Sequence, residues 1–132
     1  MESNMMHDTK SFGLALAVAT FSLLTTVAAR AQDADAGKTV FNKCLPCHAI
    51  GEGAVNKVGP ALNGLDGRKA GTYPDYPYSD SNKKSGITWT PDKIKTWITS
   101  PARMVPGTKM AFAGIGNPKQ ADDLVAYLAT LK

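Results

Sequence analysis

Cys44-Leu45-Pro46-Cys47-His48 decides how this chain is read. Two thiols three positions apart can each add across a vinyl group of haem, and a histidine directly after the second is then held beneath the iron as an axial ligand. These are the only cysteines in the sequence, and His48 is one of two histidines. The other uses of such a stretch fit less well. A structural zinc ion wants four nitrogen or sulfur ligands, and beyond these three only His7 is left, in a segment read below as removed. A thioredoxin-like pair sits in a strand-helix-strand context that is absent here. A disulfide between Cys44 and Cys47 would close a very small loop and contribute little to a fold.

The N-terminus sets the compartment. Lys10 precedes an apolar run from Phe12 to Ala29, and Ala29-Arg30-Ala31 forms a small-x-small site before the polar Gln32-Asp33-Ala34-Asp35. This predicts a secretory signal over residues 1–31, cleaved after Ala31, and a single domain over residues 32–132. The competing reading is a retained membrane anchor, because the run approaches the length of a spanning helix. Export suits a covalently held cofactor, which cannot diffuse away outside the cytoplasm. A periplasmic location follows, with no stable membrane insertion after cleavage.

A domain of about 100 residues buries a modest core and often needs a staple. The stretch from Gly51 to Trp89 is rich in Gly, Pro, Asn and Asp, and would be implausibly long as an unsupported loop. A central haem gives it something to wrap around. Helical patterns flank it. Asp33 to Lys43 places Ala36, Val40, Phe41 and Cys44 near one face, with Asp33 and Asp35 at the end that favours acidic groups. Thr90-Pro91-Asp92 opens a helix that carries Ile94, Trp97 and Ile98 on one face and ends at Ser100-Pro101. Asn117 caps a last helix with Pro118 at its first position, Gln120 at capping-box spacing, and Leu124, Val125, Leu128 and Leu131 inward. No alternating strand pattern competes, so the fold class is all-α.

Pro106-Gly107-Thr108-Lys109-Met110 ends a turn-prone segment on a methionine, 62 positions after His48. A thioether opposite imidazole favours ferrous iron and raises the potential. Met104 is the rival, since Met1, Met5 and Met6 fall in the leader; a packing role for Met110 is the plain alternative.

Taken in order, Cys44-Leu45-Pro46-Cys47-His48, Val58-Gly59-Pro60-Ala61-Leu62, Gly67-Arg68-Lys69, the stretch from Tyr78 to Trp89 and Pro106-Gly107-Thr108-Lys109-Met110 resemble class I cytochrome c, both mitochondrial-type and soluble bacterial. The resemblance covers essentially the whole chain after the leader. It implies a small single-domain cytochrome c fold, helices and loops around one covalent haem c bonded through Cys44 and Cys47. It implies His48 and Met110 as axial ligands of the iron, with the Pro60 carbonyl accepting from the His48 ring. It places Arg68, Tyr78, Asn82 and Trp89 around the haem propionates, with Thr108 nearby on the distal loop; donors of these types meet the cost of burying a carboxylate.

Two departures from the family stand out. Trp97 replaces a usual tyrosine near the methionine sulfur, and an indole N–H has a different reach and no acceptor capacity. On the expected docking face Lys43, Lys57, Arg103 and Lys109 remain basic, while Ala102, Gly116 and Asn117 stand at commonly basic positions.

With both axial positions filled by protein, iron has no open site for substrate. The resemblance therefore implies a soluble periplasmic one-electron carrier, a monomer and not an enzyme, shuttling between respiratory or photosynthetic complexes. Its partners would be redox proteins such as a cytochrome bc complex, an oxidase, a reductase or a dehydrogenase. The contrary reading is a haem enzyme or ligand-binding sensor, should Met110 not ligate the iron. Net charge is +4, and loss of residues 1–31 removes two basic and two acidic groups and leaves it unchanged. Such a field steers encounter with acidic partner patches. Without a dense basic stripe, nucleic acid is excluded as a partner. Lys109, beside Met110, is also a candidate to replace it on the iron at alkaline pH.

Overall fold

The computed structural model describes residues 31–132. The proposed leader and its cleavage signal therefore lie outside the described residues, apart from Ala31. Five α-helices occur among the described residues: α1 (Ala34–Val40), α2 (Asp80–Lys84), α3 (Pro91–Thr99), α4 (Pro101–Met104) and α5 (Pro118–Ala129). A 3-10 turn, Phe41–Lys43, carries α1 into the cysteine motif. Among the described residues the only extended pairing is one antiparallel bridge between Lys69 and Thr88, so the all-α expectation stands. No helix of the described residues is long and apolar enough to cross a membrane.

The first and last helices make the frame. Asp33 caps α1, its Oδ1 accepting from the Asp35 and Ala36 N–H groups at 3.0 Å each. Asn117 caps α5 in the same way, through Lys119 N–H at 2.9 Å and Gln120 N–H at 3.2 Å. The expected capping box is not completed, because Gln120 Oε1 instead accepts from Lys43 Nζ at 3.1 Å and ties α5 to the 3-10 turn. At the crossing, a Cβ on Gly37 would lie 1.9 Å from the Asp123 carbonyl oxygen and 2.8 Å from Tyr127 Cβ. Only glycine lets the two backbones approach this closely. The contact is sealed by Phe41 against Tyr127, ring centroids 5.7 Å apart.

A polar clip closes the same end. Asp123 is buried, accepts the Asp33 N–H at 2.9 Å and binds Lys119 Nζ through both oxygens, at 2.6 and 2.8 Å. Leu124, fully buried, Val125 and Leu128 of α5 meet Val40 and Phe41 from the N-terminal end and Ile94 and Ile98 of α3 in one core.

Two elements were not visible as helices in the sequence. Pro101 starts α4 immediately after α3 ends at Thr99, so the proline that stops one helix opens the next. Helix α2 lies inside the long polar connection, where Ser79 caps it by accepting the Asn82 N–H at 3.1 Å.

Candidate cofactor cleft

The chain folds around a cleft of about 1230 Å³, counting its mouth to solvent. Cys44, Cys47, His48, Pro60, Arg68, Tyr78, Asn82, Trp89, Thr108 and Met110 all line it, although they come from separate loops and helix ends.

The motif is presented by a tight turn in which the Cys47 and His48 N–H groups both donate to the Cys44 carbonyl, at 3.0 and 2.9 Å. Both cysteines are half-buried and are not bonded to each other. Burial, reinforced by Cys47, pushes the Cys44 thiol up to about 11 against the opposing pull of Lys43. Without haem this sulfur is a protonated thiol at neutral pH. Among the described residues no cluster of three or more His, Cys, Asp or Glu side chains could hold a bare metal ion.

His48 is buried and its pKa lies below the ordinary histidine value, chiefly because burial disfavours the imidazolium. The Pro60 hydrogen bond pulls the other way, while Arg68 and Lys57 add to the lowering. His48 Nδ1 sits 2.7 Å from the Pro60 carbonyl oxygen, which can only accept, so the proton is on Nδ1 and the Nε2 lone pair is free to ligate. The backbone is shaped to this ring. A Cβ on Gly59 would lie 2.3 Å from His48 Cε1, and the Gly59 N–H donates to the Cys47 carbonyl at 2.7 Å.

Met110, and not Met104, is the methionine of the cleft. Met104 sits in α4, partly buried against the hydrophobic core. Thr108 Oγ1 accepts the Met110 N–H at 3.2 Å and fixes the backbone that carries the thioether. Trp97 also lines the cleft and packs on Trp89 with centroids 5.4 Å apart and planes at 60°.

The polar part of the lining is tightly engaged. The Arg68 guanidinium donates to the Asn63 carbonyl at 3.1 Å and the Ala61 carbonyl at 3.3 Å, and stacks over the Tyr73 ring at 4.7 Å. Burial lowers its pKa, an effect countered by the nearby Tyr78 and Tyr73. Burial raises the pKa of Tyr78, with Arg68 opposing. Asn82 Oδ1 accepts from the Ser79 hydroxyl at 2.7 Å. Of the four basic residues expected on the docking face, Lys43 and Lys109 line the cleft and the Lys57 ammonium bonds the Leu45 carbonyl within the cysteine motif. Arg103, like Lys57, is not among the cleft-lining residues; it borders a separate depression with Lys95, Thr99 and Met104.

Sequence reasoning did not single out Tyr76, Phe112 or Leu65, which also line the cleft. Tyr76 stood in a tyrosine- and proline-rich run that read only as loop. The donor set as a whole fits haem: two attachable thiols, a neutral imidazole with a free nitrogen, a thioether, apolar walls and an engaged polar sector.

Comparison with known proteins agrees with this geometry. A family model described as Cytochrome c matches residues 34–132. Cytochrome c2 of Rhodoplanes tepidamans is 62% identical over 98 residues, covering 74% of this chain and 92% of that protein. Cytochrome c-550 of Bradyrhizobium diazoefficiens is 62% identical over 96 residues, covering 73% and 71%. Among solved structures, cytochrome cH from Methylobacterium extorquens superposes with a TM-score of 0.70 at 47% identity, covering 74% of this chain and 98% of that one.

Proposed function

The chain belongs to the cytochrome c family and carries one covalently bound haem c; from that premise we propose a soluble, periplasmic one-electron carrier with His48 and Met110 as the axial ligands. When bound, haem supplies a reversible ferric/ferrous couple. Everything else is the work of side chains. Cys44 and Cys47 tether the group to the turn after α1. The Pro60 carbonyl, by holding the Nδ1 proton of His48 at 2.7 Å, orients the ring and raises the donor strength of Nε2. Thr108 holds the Met110 backbone in place. Arg68, Tyr78, Asn82 and Trp89 supply the donors near which the cofactor's carboxylates would be buried.

The observation that carries this reading is the convergence of His48, with Nε2 free, and Met110 on one cleft from two independent loops. With two protein ligands available, no coordination position is left for substrate, and electron transfer through the haem edge is the remaining chemistry. Periplasmic location rests on the leader-like pattern of residues 1–31. Redox partners such as a cytochrome bc complex, an oxidase, a reductase or a dehydrogenase would dock at the basic rim made by Lys43, Lys109 and Lys57. Carbon monoxide tests the coordination. The reduced protein is expected to keep sharp low-spin bands when the gas is added; ready formation of a carbon monoxide adduct would point instead to an open iron site and a catalytic or sensing role.

A further inference from the structure

Asn63-Gly64 is the one Asn-Gly step of the sequence. Such a step is chemically labile, because glycine has no side chain to keep its backbone nitrogen away from the neighbouring amide. Ring closure bonds the Gly64 nitrogen to Asn63 Cγ and expels the side-chain nitrogen as ammonia. Water then opens the cyclic imide at either carbonyl and leaves aspartate or isoaspartate. Closure needs a near-attack geometry, with the Gly64 nitrogen deprotonated and set against Cγ. The fold holds both reacting groups elsewhere. Asn63 Oδ1 accepts the Gly51 N–H at 2.9 Å and Nδ2 donates to the Gly51 carbonyl at 2.7 Å, so the amide is pinned at both ends. The Gly64 N–H donates to the Leu131 carbonyl at 3.1 Å, in the short tail beyond α5. Gly64 itself is exposed, and a Cβ built on it would meet nothing within 4 Å. Water therefore reaches the step, and three hydrogen bonds stand against its closure.

The backbone carbonyl of Asn63 has a partner of its own. Arg68 Nη1 donates to it at 3.1 Å, and Arg68 lines the cofactor cleft. In isoaspartate the main chain runs through the former side chain, and the old backbone carbonyl carbon carries the freed carboxylate. Opening the imide on that side replaces a neutral acceptor of the Arg68 guanidinium by an anion, and charge-assisted hydrogen bonds are roughly twice as strong as neutral ones. We propose that Asn63 is a spontaneous modification site: its deamidation is restrained by Gly51 and Leu131, and the isoaspartate product draws Arg68 away from the cofactor's carboxylates. The rival position is the nearby Asp66-Gly67 step. There a carboxylate is a much poorer electrophile than an amide, and the Gly67 N–H is held closely by the Trp89 carbonyl, at 2.7 Å. The effect on Arg68 rests on the proposed haem carrier, whereas the chemistry at Asn63 does not.

Peptide mapping of the holoprotein after incubation in mildly alkaline buffer reads the site, with mass spectrometry scoring the loss of ammonia and a protein isoaspartyl methyltransferase marking the rearranged product. Deamidation at Asn63 is expected to run at least about tenfold faster in the denaturant-unfolded holoprotein than in the native one, because modification follows the population in which these bonds are open. Deletion of Leu131 and Lys132 should speed the native reaction about fivefold, as for the loss of one net hydrogen bond. Equal rates in native and unfolded protein, an unchanged rate in the folded deletion variant, or isoaspartate at Asp66 in place of Asn63 would overturn the proposal. The isoaspartate fraction, separated by its lost positive charge, should have a lower reduction potential than fresh protein, since a carboxylate on Arg68 favours ferric iron; an unchanged potential would overturn the link to Arg68. Carbon monoxide binding by fresh reduced protein reports separately whether Met110 is a ligand, so failure of that reading and failure of the modification site are told apart.

Discussion

A methyl group at position 59 would lie 2.3 Å from His48 Cε1 and 2.7 Å from Nδ1, distances that no relaxed side chain tolerates. Gly59→Ala is therefore expected to turn the imidazole away from the Pro60 carbonyl, destabilise the holoprotein by about 1–3 kcal/mol and mix high-spin character into the spectrum. Denaturant titration followed at the haem band checks both; an unchanged midpoint and a purely low-spin spectrum would mean that the loop yields instead. At this scale the sequence was most legible where the chemistry is local. Cysteine spacing announces the attachment site because both thiols and the imidazole share one turn. Tyr76 was illegible for the opposite reason: its partner carbonyl is 18 positions away, and nothing in a tyrosine's neighbours tells where its hydroxyl will reach. Arg68 was placed near the cofactor by resemblance, yet its bonds to the Ala61 and Asn63 carbonyls and its stacking on Tyr73 emerge only from the folded loop.

Helices α1 and α5 illustrate what periodicity does and does not carry. The cap at Asn117 and the inward faces of α3 and α5 follow from pattern, and Asp33 was placed only at the end of α1 that favours acidic groups, whereas α2 and α4, of five and four residues, are too short to show any period. Neither is stable by itself; both exist because the surrounding loops are packed. The α1–α5 junction has a pH signature. Lys119 first, and then the Asp33 N–H, hold the Asp123 carboxyl below its ordinary value against the opposing effect of burial. A depressed carboxyl binds fewer protons in the folded than in the unfolded chain, so its contribution is present above the unfolded value of about 3.9 and is lost as pH falls through the lower folded value. Asp123→Asn should be less stable than wild type at neutral pH and lose less stability below about pH 4. Thermal melts across that range decide it, and parallel acid limbs for the two proteins would count against the clip. In the same interface Leu124→Ala, at a fully buried site, is expected to cost about 2–5 kcal/mol in equilibrium unfolding.

For the molecule as a whole, a long polar connection that is implausible as free loop becomes the wall of a cleft, and the cofactor supplies the core that a chain of this length lacks. Charge acts at this scale too. With net charge +4 and Lys43 and Lys109 on the cleft lining, association with an acidic redox partner should slow as ionic strength rises and the Debye length shortens from about 10 Å at 0.1 M to about 3 Å at 1 M. Lys43→Gln should lower the association rate and flatten that salt dependence; Arg103→Gln, away from the cleft, should change both less. In the proposed carrier, Met110 completes the iron's coordination from a loop of its own. The most direct measurement is the weak far-red methionine–iron band of the oxidised protein in Met110→Ala and Met104→Leu variants. With Met110 as the ligand, the band is expected to vanish and carbon monoxide to bind the reduced iron in Met110→Ala, while Met104→Leu keeps the wild-type spectrum. A band that survives in Met110→Ala, or disappears in Met104→Leu, would contradict it.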